Sequence, residues 1–347
     1  METLNSPNPN PSSTGKMKAI VQDDYGSTDV LRLEDIDKPV LQDNEVRVRV
    51  YASSINAGDW HLMRGDPFLI RLMFGGLLRP AIKTLGSDVA GRVEAVGKRV
   101  TQFQVGDEVF GDVSECGFGG FAEYVCGPET AWGLKPANAS FETAAAVPGA
   151  ALAALQALRD CGQIQTGQTV LVNGASGGVG LFAVQIAKAF GAEVTGVCST
   201  RKIETVRFPA GEDSPTQGAD HVIDYTQTDC TRTGQQYDLV IDAAAYRSVY
   251  DFLPILKPEG TYVMVGGSTA RLFQAMFLGP WLSKIRHRNV KCLVTKPNQT
   301  DLTTIRNLMV DNKITPFIDR RYSLREVPDA IRYVEQRQVQ GKVVINI

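Results

Sequence analysis

The chain has 347 residues, 43% of them hydrophobic, which is ample for two packed domains, and its 36 basic and 38 acidic residues leave a net charge of −2. So even a balance supplies no global field to hold a polyanion, and nucleic acid is excluded as an expected partner. The six cysteines, Cys116, Cys126, Cys161, Cys198, Cys230 and Cys292, form no close pair of the kind a disulfide framework or metal knuckle uses, and they suit a reducing, cytoplasmic setting.

Residues 1–16, rich in Asn, Pro and Ser, read as a disordered tail with no targeting signal. From Met17 to about Ala145 short β-branched runs alternate with Gly, Pro and Asp, as in Glu45 to Ala52 and Gly91 to Val96. The alternation of Val46, Val48 and Val50 with Arg47 and Arg49 predicts one packed face and one wet face. Two apolar segments with basic flanks stand out, residues 68–80 and Ala270 to Lys291. The second carries Leu272, Phe273, Met276, Phe277, Leu278 and Trp281 beside Lys284, Arg286 and Arg288. They are expected to line a substrate pocket or an interface, with peripheral contact to an anionic membrane as the other reading. No run reaches the roughly 20 apolar residues of a membrane-spanning helix.

Beyond Phe141 an Ala/Leu-rich helix runs to Asp160. Strand Thr169 to Asn173, a glycine turn, helix Leu181 to Phe190 and strand Glu193 to Cys198 then make a βαβ unit. Strands are expected at Asp220 to Ile223, Tyr237 to Asp242, Gly260 to Val265 and Val290 to Thr295. Helices near Leu302 to Asn312 and Val327 to Arg337 and a strand Lys342 to Ile347 close the chain. The repetition predicts a doubly wound parallel sheet.

Ala175-Ser176-Gly177-Gly178-Val179-Gly180 fits G-x-G-x-x-G with Ala for the first glycine, between an apolar strand and an amphipathic helix. Gly177 would let backbone approach a pyrophosphate, Gly180 would let the helix pack on the strand, and the amides at the helix start attract negative charge. A structural strand-to-helix turn is the plainer reading. NAD enzymes place an acid about 20 residues further on, to grip the ribose hydroxyl. Here that position is Ser199, followed by Thr200, Arg201 and Lys202, a hydroxyl and two cations suited to the 2′-phosphate of NADPH unless the cations are merely solvated.

These motifs, with Leu85 to Gly97 (LGSDVAGRVEAVG), Val105 to Gly111, Gly119 to Tyr124, Gly218 to Tyr225 and Gly341 to Ile345, resemble the medium-chain dehydrogenase/reductase superfamily. The resemblance is to its zinc-free quinone oxidoreductase branch and runs from Met17 to Ile347. It implies an α/β chain with a GroES-like, mostly-β catalytic domain (17–145 and 298–347) and a Rossmann domain (146–297), active site in the cleft, dimeric through the Rossmann domains. It also implies cofactor contacts at Tyr225 and at Gly266, Gly267 and Ser268, and it leaves one carboxamide contact open where Ala153 replaces a Thr. Residues 208–217 look like an insertion at the adenosine end.

Where zinc-dependent relatives carry their ligands this chain has Asn56 and Gly86-Ser87-Asp88, so no metal is expected. His61, His221 and His287 lack metal-ligand spacing and read as surface or packing residues. Without a Lewis acid, hydride transfer from NADPH suits an acceptor already activated by conjugation, a quinone or an α,β-unsaturated carbonyl. Asn56 is the candidate hydrogen-bond donor at the reaction centre, or else a turn-forming Asn. Tyr51 and Trp60 are candidate walls for a flat substrate, or else core residues. A silent NADPH-binding protein and an alcohol dehydrogenase are the competing functions.

Overall fold

The structure, a computed structural model, describes residues 15–74, 76–209, 217–286 and 288–347, without side chains at 278 and 280–286. Most of the expected insertion (210–216), His287, and the side chains of Leu278, Trp281, Lys284 and Arg286 therefore lie outside the described residues.

Strand β1 (Lys16–Val21) pairs antiparallel with β2 (Arg32–Asp37). Then β3 (Glu45–Ile55), β4 (Asp88–Val96), β5 (Glu108–Asp112), β6 (Tyr124–Pro128) and β7 (Trp132–Leu134) make most of a mainly antiparallel sheet. Val46, Val48 and Val50 are buried as their alternation requires, against Val89, Val93, Val109 and Trp132. The wet-face expectation fails at Arg47, which is 6% exposed. Strand β3 is flanked by β4 on one side and β6 on the other, and Arg47 is held there by Glu94 at 2.6 Å.

The second layer system is built by β8 (Thr169–Asn173), β9 (Glu193–Cys198), β10 (His221–Asp224), β11 (Tyr237–Asp242), β12 (Leu256–Met264) and β13 (Asn289–Cys292). Every pairing is parallel, and the order β10-β9-β8-β11-β12-β13 is that of a doubly wound sheet. Such a sheet is covered on both faces, which is why Val170, Leu171 and Val172 are all fully buried rather than alternating. Helices Pro148–Gln156 and Gly178–Ala189 pack on one face through Leu152, Leu155, Phe182 and Ile186. Burial of each such side chain contributes about 1.5–3 kcal/mol.

Finally β14 (Ile318–Ser323) and β15 (Lys342–Asn346) return to the first sheet, giving the order β14-β15-β3-β4-β5-β7 with β6 also on β3. The registers Val343 opposite Ile55 and Ser54 opposite Asp88 bring the end of β3 and the beginnings of β4 and β15 to one place. The chain is thus a GroES-like, mostly-β unit joined to a Rossmann-type parallel sheet.

Candidate active site

The strand order of the parallel sheet reverses between β8 and β11, and a cavity of about 870 Å³ opens at their carboxyl ends. Its floor is set by Asn173, whose amide donates to the buried Asp242 carboxylate at 2.7 Å; Tyr262 Oη donates to the same group at 2.7 Å.

The turn after β8 works one residue earlier than its motif suggests. Gly174 takes the left-handed φ of 78°, and a Cβ there would meet Ala244 Cβ at 2.7 Å. The next residue is therefore free to be Ala. Ala175 donates its amide to the Val197 carbonyl at 3.0 Å, is buried in the core and does not line the cavity, so it shapes the turn and is not a contact surface.

Ser176, Gly177, Gly178, Val179 and Gly180 do line it. Gly177 is the extended N-cap of helix Gly178–Ala189 and supplies no side-chain cap, so the first-turn amides carry the helix's positive end into the cavity. A Cβ on Gly180 would come 2.1 Å from the Gly174 carbonyl, whereas one on Gly177 would meet nothing closer than 3.5 Å. Gly180 closes the turn, and Gly177 leaves open the space an approaching phosphate would use.

Ser199, Lys202 and Tyr225 line the cavity from the ends of β9 and β10. Lys202 is 7% exposed, and its Nζ donates to the Val339 carbonyl at 2.7 Å. Burial, with the nearby charge of Arg201, pulls its pKa below the usual lysine range, so an anion would be a favourable partner. Arg201 itself is exposed and stands off the cavity.

The sequence around Ser199 shows no carboxylate, yet β10 brings Asp224 beside it. That carboxylate accepts from Thr200 Oγ1, Thr226 N (2.9 Å) and Thr226 Oγ1 (2.7 Å), is not part of the cavity wall, and is held below the usual carboxylate range by Thr200 above all. Three residues that sequence reasoning missed also line the cavity: Arg247, which grips Asp229 with two bonds of 2.6 and 2.8 Å, Tyr246, and Arg337, whose guanidinium lies 4.3 Å over the Tyr246 ring.

Several expectations are corrected. Gly266, Gly267 and Ser268 stand behind the wall. Gly266 O accepts from Ala245 N at 2.8 Å, and Ser268 N donates to Ala245 O at 3.1 Å. Tyr51 on β3 stacks on Phe141, the first residue of helix Phe141–Ala145, at 4.5 Å, and Trp60 stacks on His61 of its own helix at 3.6 Å; neither lines the cavity. The described residues of 68–80 are not pocket lining either; Leu78 is 91% exposed. Within this segment Arg71 lies over the Tyr25 ring and donates to Gly65 O, and the exposed Arg79 stands 3.6 Å from Asp24. Phe273 and Phe277 also face outward, while Leu272 packs on the parallel sheet. No helix among the described residues is long and apolar enough to cross a membrane.

Asn56 caps helix Ala57–Arg64 and lines the cavity, but it is not a free donor. Its two Nδ2 hydrogens go to Ser87 Oγ (3.2 Å) and Asp88 Oδ2 (2.9 Å), and its Oδ1 accepts from Lys342 Nζ at 2.6 Å. Asp88 also receives Ser54 Oγ at 2.7 Å, Gly149 N at 2.7 Å and Lys342 Nζ at 3.0 Å. Two more buried acids flank this group. Burial, against the backbone N–H bonds of Asn56 and Gly86, pushes Asp59 up to about 7, and burial with the Asp88 charge pushes Asp112 up to about 6. Lys342, read in the sequence only as part of a closing motif, carried one signal: a lysine heading an otherwise apolar strand needs a buried partner.

Comparison with known proteins fits this geometry. Residues 42–137 match the alcohol dehydrogenase GroES-like domain and residues 217–345 match the zinc-binding dehydrogenase model. The chain is 32% identical over 346 residues to a 2-methylene-furan-3-one reductase of Solanum lycopersicum, covering 96% of this chain and 80% of that protein. It is 31% identical to an Arabidopsis thaliana NADPH-dependent alkenal/one oxidoreductase, covering 95% and 79%. The solved quinone oxidoreductase of Coxiella burnetii superposes with a TM-score of 0.82 at 30% identity, over 96% of this chain and 100% of that one. The chain belongs to the medium-chain dehydrogenase/reductase superfamily. Within it, the chain falls in the quinone oxidoreductase-like branch and is an oxidoreductase of that type.

That family's zinc does not fit the residues present. Asn56, Ser87 and Asp88 offer one carboxylate and no Cys or His, with an ammonium already against it, where zinc requires three such ligands. Among the described residues no group of three or more His, Cys, Asp or Glu could hold a metal ion. A nicotinamide dinucleotide fits better, since the uncapped helix start and the space over Gly177 suit its pyrophosphate.

Proposed function

We propose that this oxidoreductase uses NADPH and reduces a quinone or an α,β-unsaturated carbonyl without zinc. The observation that carries the reading is one cavity that joins the open helix start at Gly177, the buried cation Lys202 and the polar cluster of Asn56 and Lys342. Ser176 to Gly180 would hold the pyrophosphate, and Ser199 and Lys202 the 2′-phosphate, with Tyr225 beside them; the printed name of the Arabidopsis relative supports the same nucleotide. When bound, the reduced nicotinamide supplies a hydride. The chain supplies the anion-binding backbone and the buried charges but no Lewis acid, so a substrate already polarised by conjugation suits it better than a simple alcohol.

The test is NADPH oxidation, with a chelator present, against ortho- and para-quinones and 2-alkenals, with NADH as control and metal analysis of the same sample. Turnover with NADPH that survives chelation is expected. NADPH binding without turnover on any acceptor would replace this reading with that of a silent NADPH-binding protein.

A further inference from the structure

Lys342 opens β15 one step beyond the register pair Val343–Ile55, which sets it opposite Asn56. Its stem crosses the start of the cofactor-side helix, where a Cβ on Gly178 would come within 2.9 Å of Lys342 Cδ, and its side chain is 3% exposed beside a fully buried Asp88. An ammonium has three hydrogens. One goes to Asn56 Oδ1 at 2.6 Å and one to Asp88 Oδ2 at 3.0 Å.

Both Asn56 amide hydrogens are taken, and Ser54 Oγ and Gly149 N are spent on Asp88, while Ser87 Oγ, which accepts from Asn56 and keeps its own hydrogen, does not line the cavity. Among the described residues of this cluster, the third hydrogen of Lys342 is therefore the donor left for a molecule in the cavity that Lys342 and Asn56 both line. A buried cation fixed by a carboxylate and an amide oxygen, in a site screened from water, is the arrangement that stabilises a developing oxyanion.

We propose that Lys342 is the catalytic cation of this site, donating its remaining hydrogen to the carbonyl oxygen of the conjugated substrate and holding the negative charge that develops there. The inference rests on the reductase reading above. The nicotinamide, when bound, supplies the hydride and is left as NADP+. As the β-carbon gains that hydride, the C=C electron pair shifts toward the α-carbon and the carbonyl oxygen. Lys342 holds the enolate oxygen, and the α-carbon then takes a proton from water to give the saturated carbonyl. Asp88 and Asn56 Oδ1 each hold one ammonium hydrogen and so aim the third, which makes both positioning residues. The cation thus stands against Asn56 and Asp88, two of the positions where the resemblance to zinc-dependent relatives places metal ligands.

The test reads oxyanion binding apart from turnover, with para-nitrophenol as the probe and its absorbance as the readout. In the wild-type protein the bound dye is expected to ionise at least about one pH unit below the free dye, a ten-fold preference for phenolate, and Lys342→Met is expected to abolish that preference. NADPH affinity, from fluorescence titration, should change by less than about three-fold, while kcat on a 2-alkenal falls about 100-fold, as for loss of one oxyanion donor. Lys342→Met with Asp88→Asn removes the charge that the lysine balances, and keeps the test valid if the single variant folds poorly. It should lose the phenolate preference equally.

No phenolate preference in the wild-type protein, or a preference that survives in a folded variant, would overturn the proposal. So would a large loss of NADPH affinity with the dye unaffected, which would make Lys342 a phosphate contact. A wild-type protein that prefers phenolate yet reduces no conjugated acceptor would sink the reductase reading alone.

Discussion

Replacing Lys202 by Gln isolates the charge at the nucleotide end of the cavity. Glutamine can still donate to the Val339 carbonyl, now held by Lys202 Nζ at 2.7 Å, so the contact between the strand end and residues 337–341 is kept while the cation is lost. A hydrogen bond to a charged group contributes about 1.5–3 kcal/mol. At about 1.4 kcal/mol per decade that is roughly a 10- to 140-fold loss of NADPH affinity. The lower part of the range is expected, because Lys202 already gives one of its hydrogens to Val339. NADH lacks the 2′-phosphate, so its affinity should stay within about two-fold. Equilibrium titration of both nucleotides by fluorescence, on protein with unchanged circular dichroism, gives the two constants. Equal losses for NADPH and NADH would refute the assignment of Lys202 to the 2′-phosphate.

Other consequences can be checked with the same preparations. Gly177→Ala should fold normally, since its Cβ meets nothing closer than 3.5 Å, yet lose at least ten-fold in affinity for both nucleotides; Gly180→Ala, with a Cβ 2.1 Å from the Gly174 carbonyl, should also lower Tm. Tyr51→Leu should leave kcat and KM within about two-fold and cost about 0.5–1.5 kcal/mol of stability through the lost stack on Phe141, read by urea unfolding. Asp59, pushed up to about 7 by burial against an unfolded value of 3.8, holds a proton that the unfolded chain has already released. Its contribution is therefore fully present below about pH 4 and is lost as pH rises toward 7. Wild-type stability should fall by about 2 kcal/mol more than that of Asp59→Asn between about pH 5 and pH 7.5, and parallel profiles would contradict the assignment.

Features carried by local pattern were legible in the sequence. Thr169–Asn173, Glu193–Cys198 and Tyr237–Asp242 have the expected ends because apolar runs bounded by turn residues define buried parallel strands. The glycine turn was legible for the same reason, down to the strand and helix that flank it. Features created by pairing distant segments were not. Arg47 reads as wet until β6 is seen to lie beside β3. Asp224 lies 24 residues from Thr200 in sequence and bonded to it in space. Lys342 is 286 residues from Asn56, and only the β15–β3 register brings them together. For Tyr51 and Trp60 the sequence left wall and packing readings open, because an aromatic near a motif says nothing about which neighbour its face will meet; their stacks on Phe141 and His61 fit the packing reading.

The most direct test of the account uses NADPH carrying deuterium at its transferable position and a 2-alkenal, with the product examined by NMR. Deuterium at the β-carbon of a saturated aldehyde is the predicted result. Deuterium at the carbonyl carbon of an unsaturated alcohol would contradict conjugate reduction and return the chain to the alcohol dehydrogenases.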